Sequence, residues 1–430
     1  METELAILAL MVAGYALIAA RLDRLSVGPA LAFVAIGFLL SDDVFGPISM
    51  QPGAEPIKVL AEATLTLLLF ADASAIRAQA LRRDAAPMAR LLVIGLLLTI
   101  ALGTAGAMLL FPGIPLGVAL LLGATLAPTD AALGQAVVTN PVVPARIRRI
   151  LNVESGLNDG IATPFVFLAL AVSAAEATGG SGWLGVAAAE TALGVAVGVA
   201  LGFAGGYLLR LVDPMRWMSA ISRQLFVLAL AGACYLVAVS AGGNGFIAAF
   251  VGGLAFGRGS RGLEHGAVRF TETQGSLLGI GVWIAFGLTL AGRLLTDLWD
   301  PMAILYAVLS LTVIRMVPVA IALLGMRFAR PTVLFIGWFG PRGLASIVFL
   351  IIGLEGLQEA GVDSGPLGAA VAWTVLLSVI AHGLTAGPLA ARYGRRMGVL
   401  AADAPEREGA VEPQPARVSW AGEPPKGPAA

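Results

Sequence analysis

The sequence predicts an all-α, polytopic membrane protein, and its composition is the first reason. Of 430 residues, 58% are hydrophobic and only 13% are charged, whereas soluble domains contain about 25% charged residues. The mean hydropathy is +0.88. Because a soluble fold of this length needs far more polar surface, most of the chain is expected to lie in a lipid bilayer.

Long apolar segments are the second reason. A span needs about 20 mostly apolar residues, and thirteen segments come close to this. They lie near residues 3–20, 26–41, 57–76, 89–111, 115–138, 150–174, 184–209, 223–241, 244–257, 275–296, 301–326, 331–354 and 366–391. The opening METELAILAL lacks the basic region of a cleavable signal peptide, so it is interpreted as the start of the first span.

The basic residues support this count and give the orientation. Lys and Arg concentrate in cytoplasmic loops, and arginines follow every odd-numbered span, within 21–24, 77–90, 146–149, 210–223, 258–269, 327–330 and 392–396. The opposite side holds only Lys58 and Arg293. If one span were miscounted, the basic residues would fall on both sides of the membrane. The pattern therefore predicts an outside N-terminus and a cytoplasmic C-terminus in a bacterial-type cell (inner) membrane.

Each half of the chain contains one interrupted span. In LLGATLAPTDAALGQAVV, Pro128 removes a backbone donor and disfavours helix at the preceding residue, so Thr129 and Asp130 are interpreted as the N-cap of a new half-helix. In LFIGWFGPRGLASIVFL, glycines and Pro341 interrupt the apolar run, with Arg342 at the break.

The two breaks occupy corresponding positions. With the seventh span as a linker, each break falls in the fifth helix of a six-helix half, and the two halves are inverted in the membrane. Broken helices in such positions indicate a transporter's binding site. Two unrelated proline kinks are the alternative.

A third polar feature is NVESGLNDGIATP, residues 152–164, which lies inside a predicted span. Residues four apart share a helix face, so Glu154 neighbours Asn158, and Ser155 neighbours Asp159. Such a face is costly in lipid and is expected to contact protein or a hydrated cavity. Ser155 has a simpler alternative, a hydrogen bond to a carbonyl one turn earlier.

Two arginines, Arg315 and Arg342, also fall inside predicted spans. The intramembrane acids that could match them are Asp72, Asp130, Glu154 and Asp159. Glu154 is interpreted first as a structural ion-pair partner of Arg315. Asp159 is interpreted as functional, because the intramembrane cations are too few to neutralise every acid.

The segments APTD, ESGLNDG and GPRG, in this order, resemble the NhaP/NHE-type cation/proton antiporters of the cation:proton antiporter-1 family. GNGFIAAFVGGLAFG, residues 243–257, resembles the family's glycine-rich ninth helix, and the resemblance spans roughly residues 5–395. It implies thirteen helices in two inverted six-helix repeats, with discontinuous helices 5 and 12 crossing near the ion site.

The resemblance also implies a division of the transmembrane domain, residues 1–397. Core helices at about 89–174 and 301–391 would move against dimerisation helices at about 3–76 and 184–296 of a homodimer. The remaining residues, 398–430, are rich in Pro, Ala, Gly and Glu and are expected to form a disordered cytoplasmic tail.

For the site, the resemblance implies that Asp159 binds the cation and the proton in turn, helped by Thr129, Asp130 and Ser155, and that Glu154 pairs with Arg315. Asn158, Asp72 and Arg342 are further candidates. The chain departs from the family at LLLFADASAI, where Asp72 lies near the usual Glu-Gly-Gly or Glu-Ala-Gly, and at Ala131, where proline commonly follows the Thr-Asp pair.

Physical chemistry gives the same site a mechanism. Burial disfavours the charged form of a carboxylate, and either a proton or a cation neutralises it, so the two compete for Asp159. Hard cations prefer oxygen ligands, which Asp159, the Ser155 hydroxyl and the Thr129 carbonyl supply. An amide does not titrate, so Asn158 favours electroneutral exchange of one proton for one cation. Sodium is the first candidate, and lithium and potassium remain open.

Other classes of protein are less compatible with the sequence. An organic-anion symporter of similar architecture needs a bulkier site, a channel needs a repeated filter motif, and no HExxH or GxSxG enzyme motif occurs. No cofactor is expected besides the transported ions. The formal net charge of zero gives no indication of a nucleic-acid partner.

Overall fold

The computed structural model describes residues 2–24, 27–46, 48, 55–76, 84–130, 132–180, 182–290, 293, 296–398 and 405–407. Within these residues the regular structure is helical, apart from one isolated β-bridge between Ser41 and Ile48. A helix occurs at each of the thirteen predicted spans, so the predicted fold class is confirmed.

We number the helices by span. They are α1 (Glu2–Arg24), α2 (Pro29–Leu40), α3 (Glu55–Ser74), α4 (Ala85–Leu110), α5a (Leu116–Thr125), α5b (Gln135–Val138), α6 (Ala145–Thr178), α7 (Gly182–Val212), α8 (Ala220–Ser240), α9 (Gly245–Ser260), α10 (Glu264–Leu290), α11 (Pro301–Ala322), α12a (Arg330–Trp338), α12b (Leu344–Glu359) and α13 (Leu367–Met397). Seven helices within the described residues are long and apolar enough to cross a membrane: α4, α6, α7, α8, α10, α11 and α13.

Local sequence sets several helix ends. The side chains of Ser219, Asn244 and Asp300 accept hydrogen bonds from first-turn amides of α8, α9 and α11, which is the usual N-cap arrangement. At the other end of a helix, Gly179 terminates α6 in a left-handed conformation, with φ +67°. The Asn244 cap explains how the short, glycine-rich ninth span forms a regular helix.

The packing contacts sort most helices into two groups. The peripheral group comprises α2, α3 and α7–α10, which pack on one another. The crossing group comprises α4–α6 and α11–α13. The groups meet where α6 packs on α3 and α7, and where α12b packs on α3 and α10.

Glycines bring α7 and α9 into close contact within the peripheral group. Gly194, Gly198, Gly202 and Gly206 recur every four residues on α7 and are buried. A β-carbon at Gly202 would lie 2.1 Å from the carbonyl oxygen of Gly252 on α9. Small residues at this spacing let membrane helices approach closely, so packing holds them together without a hydrophobic driving force.

Three local features differ from the sequence predictions. The half-helix expected to begin after Asp130 is only the four-residue α5b, which begins at Gln135. α4 contains a π-helical turn at Leu91–Gly95. α11 is interrupted at Thr312, whose φ is −114° and ψ is −91°. Gly95 lies in the π-helical turn of α4, and the interruption at Thr312 has no glycine or proline at its position.

Within the tail at residues 398–430, Pro405–Arg407 form a 3₁₀ turn on the membrane domain. The Glu406 carboxylate accepts hydrogen bonds from the Ala329 amide and the Thr332 hydroxyl, each at 2.8 Å. It therefore caps the start of α12a. Residues 399–404 and 408–430 lie outside the described residues.

We expect Gly202→Val to lower the thermal unfolding temperature in detergent by several degrees, because the new side chain would overlap the α9 backbone. Overpacking of this kind costs roughly 1–3 kcal/mol. Gly185→Val is the matched control. Gly185 lies on the same helix, and a β-carbon there would meet nothing within 4 Å. Equal melting temperatures for the two variants would contradict this account of the α7–α9 interface.

Candidate ion-binding site

The predicted crossing of the two broken helices is present. The chain runs without regular structure from the end of α5a to Asp130, and α12 is broken between Trp338 and Leu344. The Asp130 amide donates to the Pro341 carbonyl oxygen at 2.8 Å. The Asp130 carboxylate accepts from the Leu344 amide at 2.9 Å. The breaks of α5 and α12 are therefore joined to each other by hydrogen bonds.

Charges of opposite sign satisfy the backbone groups that the breaks leave open. Arg342 is fully buried, and its Nη1 donates to the carbonyl oxygens of Pro128, at 2.9 Å, and Ala127. The Asp130 carboxylate lies at the N-terminus of α12b and also accepts from the Ala132 amide at 2.7 Å. A carboxylate at a helix N-terminus stabilises the helix dipole. Arg342 and Asp130 therefore both have a structural role at the crossing.

Two glycines make this close approach feasible. A β-carbon at Gly343 would lie 2.1 Å from Oδ2 of Asp130, and one at Gly340 would lie 2.3 Å from Nε of Arg315. Any side chain at either position would displace a buried charged group. The glycines of GPRG are therefore required by the space around these charges as well as by the helix break.

The polar face of α6 contacts the break in α5. The hydroxyl oxygens of Thr129 and Ser155 are 2.9 Å apart, and Asn158 Nδ2 donates to Thr129 Oγ1 at 2.7 Å. Asn158 Oδ1 is buried and has no hydrogen-bond partner among the described residues. The structure thus brings Thr129, Ser155 and Asn158 into one hydrogen-bonded cluster.

Asp159 lies next to this cluster along α6, one turn after Ser155, and is only 6% exposed. Its main-chain carbonyl accepts from the Thr163 hydroxyl at 2.9 Å. Asp72 on α3 is half-buried and faces α6 near Gly156, whose β-carbon position is 3.7 Å from that of Asp72. The peripheral group thus presents a second acid close to the same face of α6.

Glu154 and Arg315 form a buried ion pair between α6 and α11. Glu154 Oε1 lies 2.6 Å from Arg315 Nη1, and both side chains are 3% exposed. Glu154 Oε2 and the Nε and Nη2 atoms of Arg315 have no hydrogen-bond partner among the described residues. One short contact therefore compensates two charges in a low-dielectric environment.

Sequence reasoning missed a second charged cluster, at the arginine-rich end of α6. The two oxygens of Asp84 accept from Nε of Arg146 at 2.8 Å and Nε of Arg149 at 2.7 Å. All three side chains are buried. From the sequence alone, these arginines are interpreted only as loop charges. The signal available was Asp84 itself, the one acid between residues 77 and 90.

Sequence reasoning also missed His382 on α13, which is 1% exposed. Its Nε2 lies 2.8 Å from the Trp338 carbonyl oxygen at the end of α12a, and its Nδ1 lies 2.9 Å from the Ser378 carbonyl oxygen. Ser378 Oγ accepts from the Arg342 amide at 2.7 Å. α13 thus binds both sides of the break in α12.

Two broken helices that cross beside a buried polar face define the class of inverted-repeat secondary transporters. The sequence places the chain within that class more narrowly. Residues 7–392 match the family described as sodium/hydrogen exchanger, transmembrane, and the chain belongs to this family.

Individual relatives agree with this assignment. The chain is 28% identical over 273 residues to Na(+)/H(+) antiporter 2 of Zygosaccharomyces rouxii, covering 58% of this chain and 33% of that protein. It is 27% identical over 365 residues to the K(+)/H(+) antiporter NhaP2 of Shewanella oneidensis, covering 81% of this chain and 61% of that one. The chain therefore spans less than two thirds of the length of either relative.

A solved structure shares the fold. The sodium proton antiporter MjNhaP1 from Methanocaldococcus jannaschii, solved at pH 8, superposes with a TM-score of 0.70 at 21% identity. The match covers 92% of this chain and 100% of that one.

We expect Glu154→Ala and Arg315→Ala each to destabilise the protein, because either change leaves an uncompensated buried charge. Such losses are typically about 3–5 kcal/mol. The double variant should lose less than the sum of the single losses, as measured by thermal unfolding in detergent.

The matched control is Asp213 with Arg223, whose side chains are 28% and 34% exposed. Exposed pairs couple by about 0–1 kcal/mol, so the same cycle there should be nearly additive. Additive losses at Glu154 and Arg315 would mean that the buried pair does not interact.

Proposed function

We propose that this protein is a secondary active antiporter that exchanges a monovalent cation, sodium in the first place, for protons across the cell membrane. The observation that carries the proposal is the buried α6 face, where Asp159 adjoins the hydrogen-bonded cluster of Thr129, Ser155 and Asn158 beside the helix crossing. Membership of the exchanger family supports it. Such exchange serves pH homeostasis.

The chemistry of exchange follows from the groups on this face. A buried carboxylate is most stable when it is neutralised, either by a proton or by a cation. The Asp159 carboxylate and the oxygens of Ser155 and Thr129 are suitable ligands for a small hard cation. Because the proton and the cation occupy the same carboxylate in turn, each can leave only when the other replaces it.

The stoichiometry depends on the neighbours of Asp159. Asn158 does not titrate, and its amide is hydrogen-bonded to Thr129. Asp130 accepts hydrogen bonds from amides of both broken helices, so both of its carboxylate oxygens are engaged at the crossing. We therefore assign the exchangeable proton to Asp159 alone, with one proton per cation and no net charge movement.

For alternating access, we propose that the crossing group is the transport core and moves against the peripheral group, through which two copies form a dimer. Lys58 Nζ on α3 lies 2.5 Å from Glu355 Oε1 on α12b and so ties the two groups together. The proposed topology places this pair outside and the C-terminus in the cytoplasm. The pair would have to separate when the site opens to the outside.

Sodium and potassium remain the two candidate cations. The named relatives include proteins described as Na(+)/H(+) and as K(+)/H(+) antiporters. We favour sodium because a carboxylate and two hydroxyl-bearing residues close to one another form a compact site. Potassium is the alternative cation within the same fold. An organic-anion symporter would need a wider binding site.

Asp159→Asn keeps the shape of the side chain and removes its exchangeable charge. We expect cation-dependent proton flux in proteoliposomes to fall at least about tenfold, equivalent to about 1.4 kcal/mol of barrier. The control is Asp297→Asn, the same change in an exposed ion pair. Flux retained near the wild-type rate in a folded Asp159→Asn protein would remove Asp159 from the mechanism.

Electroneutrality predicts that the wild-type exchange rate does not respond to membrane potential. One net charge per cycle would gain or lose about 2.3 kcal/mol per 100 mV, which is a large effect on rate. The measurement is sodium/proton exchange in liposomes whose potential is clamped with potassium and valinomycin. A rate that follows the imposed voltage would show that a second acid, Asp130 or Asp72, also carries protons.

A further inference from the structure

An open cavity of about 330 Å³ lies between α11, α12a and α13 of the crossing group. Met316, Leu334, Trp338 and Leu389 contribute to its apolar wall. Arg392 and Arg396 line it at the C-terminal end of α13. Arg396 lies seven residues beyond Leu389, about 10 Å along the helix. The cavity is therefore a groove with an apolar body and a cationic end.

The surroundings indicate that the groove opens to lipid. Large apolar side chains on all three helices beside it are exposed: Ile321 is 40%, Leu334 60% and Leu384 61% exposed. In a chain with these spanning helices, such residues face hydrocarbon. The polar atoms of the lining Trp338 and Tyr393 are hydrogen-bonded to Thr385 and Thr332, each at 3.0 Å, and neither threonine lines the groove. The groove wall is left apolar.

The charge at the groove end is uncompensated within the described part of the chain. Arg392 and Arg396 are four residues apart and share a helix face. Both are exposed, and neither forms an ion pair with a described acid. Glu406, the tail acid among the described residues, is already hydrogen-bonded to Ala329 and Thr332.

We propose that this groove binds an anionic glycerophospholipid. Its phosphate accepts hydrogen bonds from Arg392 and Arg396, and one acyl chain lies along Leu334, Trp338 and Leu389. Arginine is suited to phosphate because its guanidinium donates in a planar fork. Basic pockets between spanning helices at the membrane surface have this preference for anionic headgroups. The site is separate from the α6 face and does not depend on which ion is exchanged.

Trp338 provides the probe, because it lines the groove. The test is fluorescence quenching of the full-length protein in liposomes by phospholipids with brominated acyl chains. The signal of Trp338 is the difference between wild type and Trp338→Phe. Brominated phosphatidylglycerol should quench this signal at a lower mole fraction than brominated phosphatidylcholine, with a preference of roughly fivefold per arginine.

Variants separate a built site from general surface charge. Arg392→Gln with Arg396→Gln should abolish the preference for phosphatidylglycerol. Arg395→Gln is the matched control, because Arg395 is exposed on the same turn but does not line the groove. It should leave the preference unchanged, and millimolar inorganic phosphate should not compete, since it has no acyl chain.

Three results would overturn the proposal. Equal quenching of wild-type Trp338 by the two brominated lipids would show no headgroup preference, and this comparison needs no arginine variant to fold. An equal loss of preference in Arg395→Gln would attribute it to surface charge. Full competition by inorganic phosphate would identify an anion site rather than a lipid site.

Discussion

The crossing of α5 and α12 is the interaction on which the rest of the structure depends. Backbone groups freed inside a membrane need partners within the protein, because no water is available to them. Here each broken helix supplies the partners that the other one needs. Asp130, from the break in α5, accepts an amide at the start of α12b, and Arg342, from the break in α12, donates to carbonyls of α5. Each break is therefore stable only in the presence of the other.

The crossing also fixes the candidate ion site. Thr129 directly precedes Asp130, so holding Asp130 against α12b holds the Thr129 hydroxyl against Ser155. The four-residue spacing on α6 then places Asp159 one turn beyond Ser155. Arg315 and Arg342 carry two positive formal charges, which balance the two negative ones of Glu154 and Asp130. Asp159 adds a further acid to this region.

Sequence reasoning could locate the spans, the two breaks and the polar face of α6, because apolar length, proline and helical spacing are local signals. It could not identify which distant residues contact the breaks. The contacts of Arg342 with Pro128 and of Leu344 with Asp130 join residues 214 positions apart. The same limit applies to Asp84 with Arg149 and to Glu406 at the start of α12a. Asp130 does act as a cap, but the helix that it caps most directly is α12b.

The ion pairs differ in strength according to whether they lie within the crossing group or between the two groups. Glu154 with Arg315 joins α6 to α11 and is buried, and Asp84 holds the arginines at the start of α6. Removing a partner from such buried pairs costs several kcal/mol. Lys58 with Glu355 joins the two groups instead, and its side chains are 27% and 36% exposed. This partly exposed pair is screened by solvent, and surface pairs contribute only about 0–1 kcal/mol. The ion pairs therefore hold the helices of the crossing group to one another more strongly than they hold the crossing group to the peripheral group.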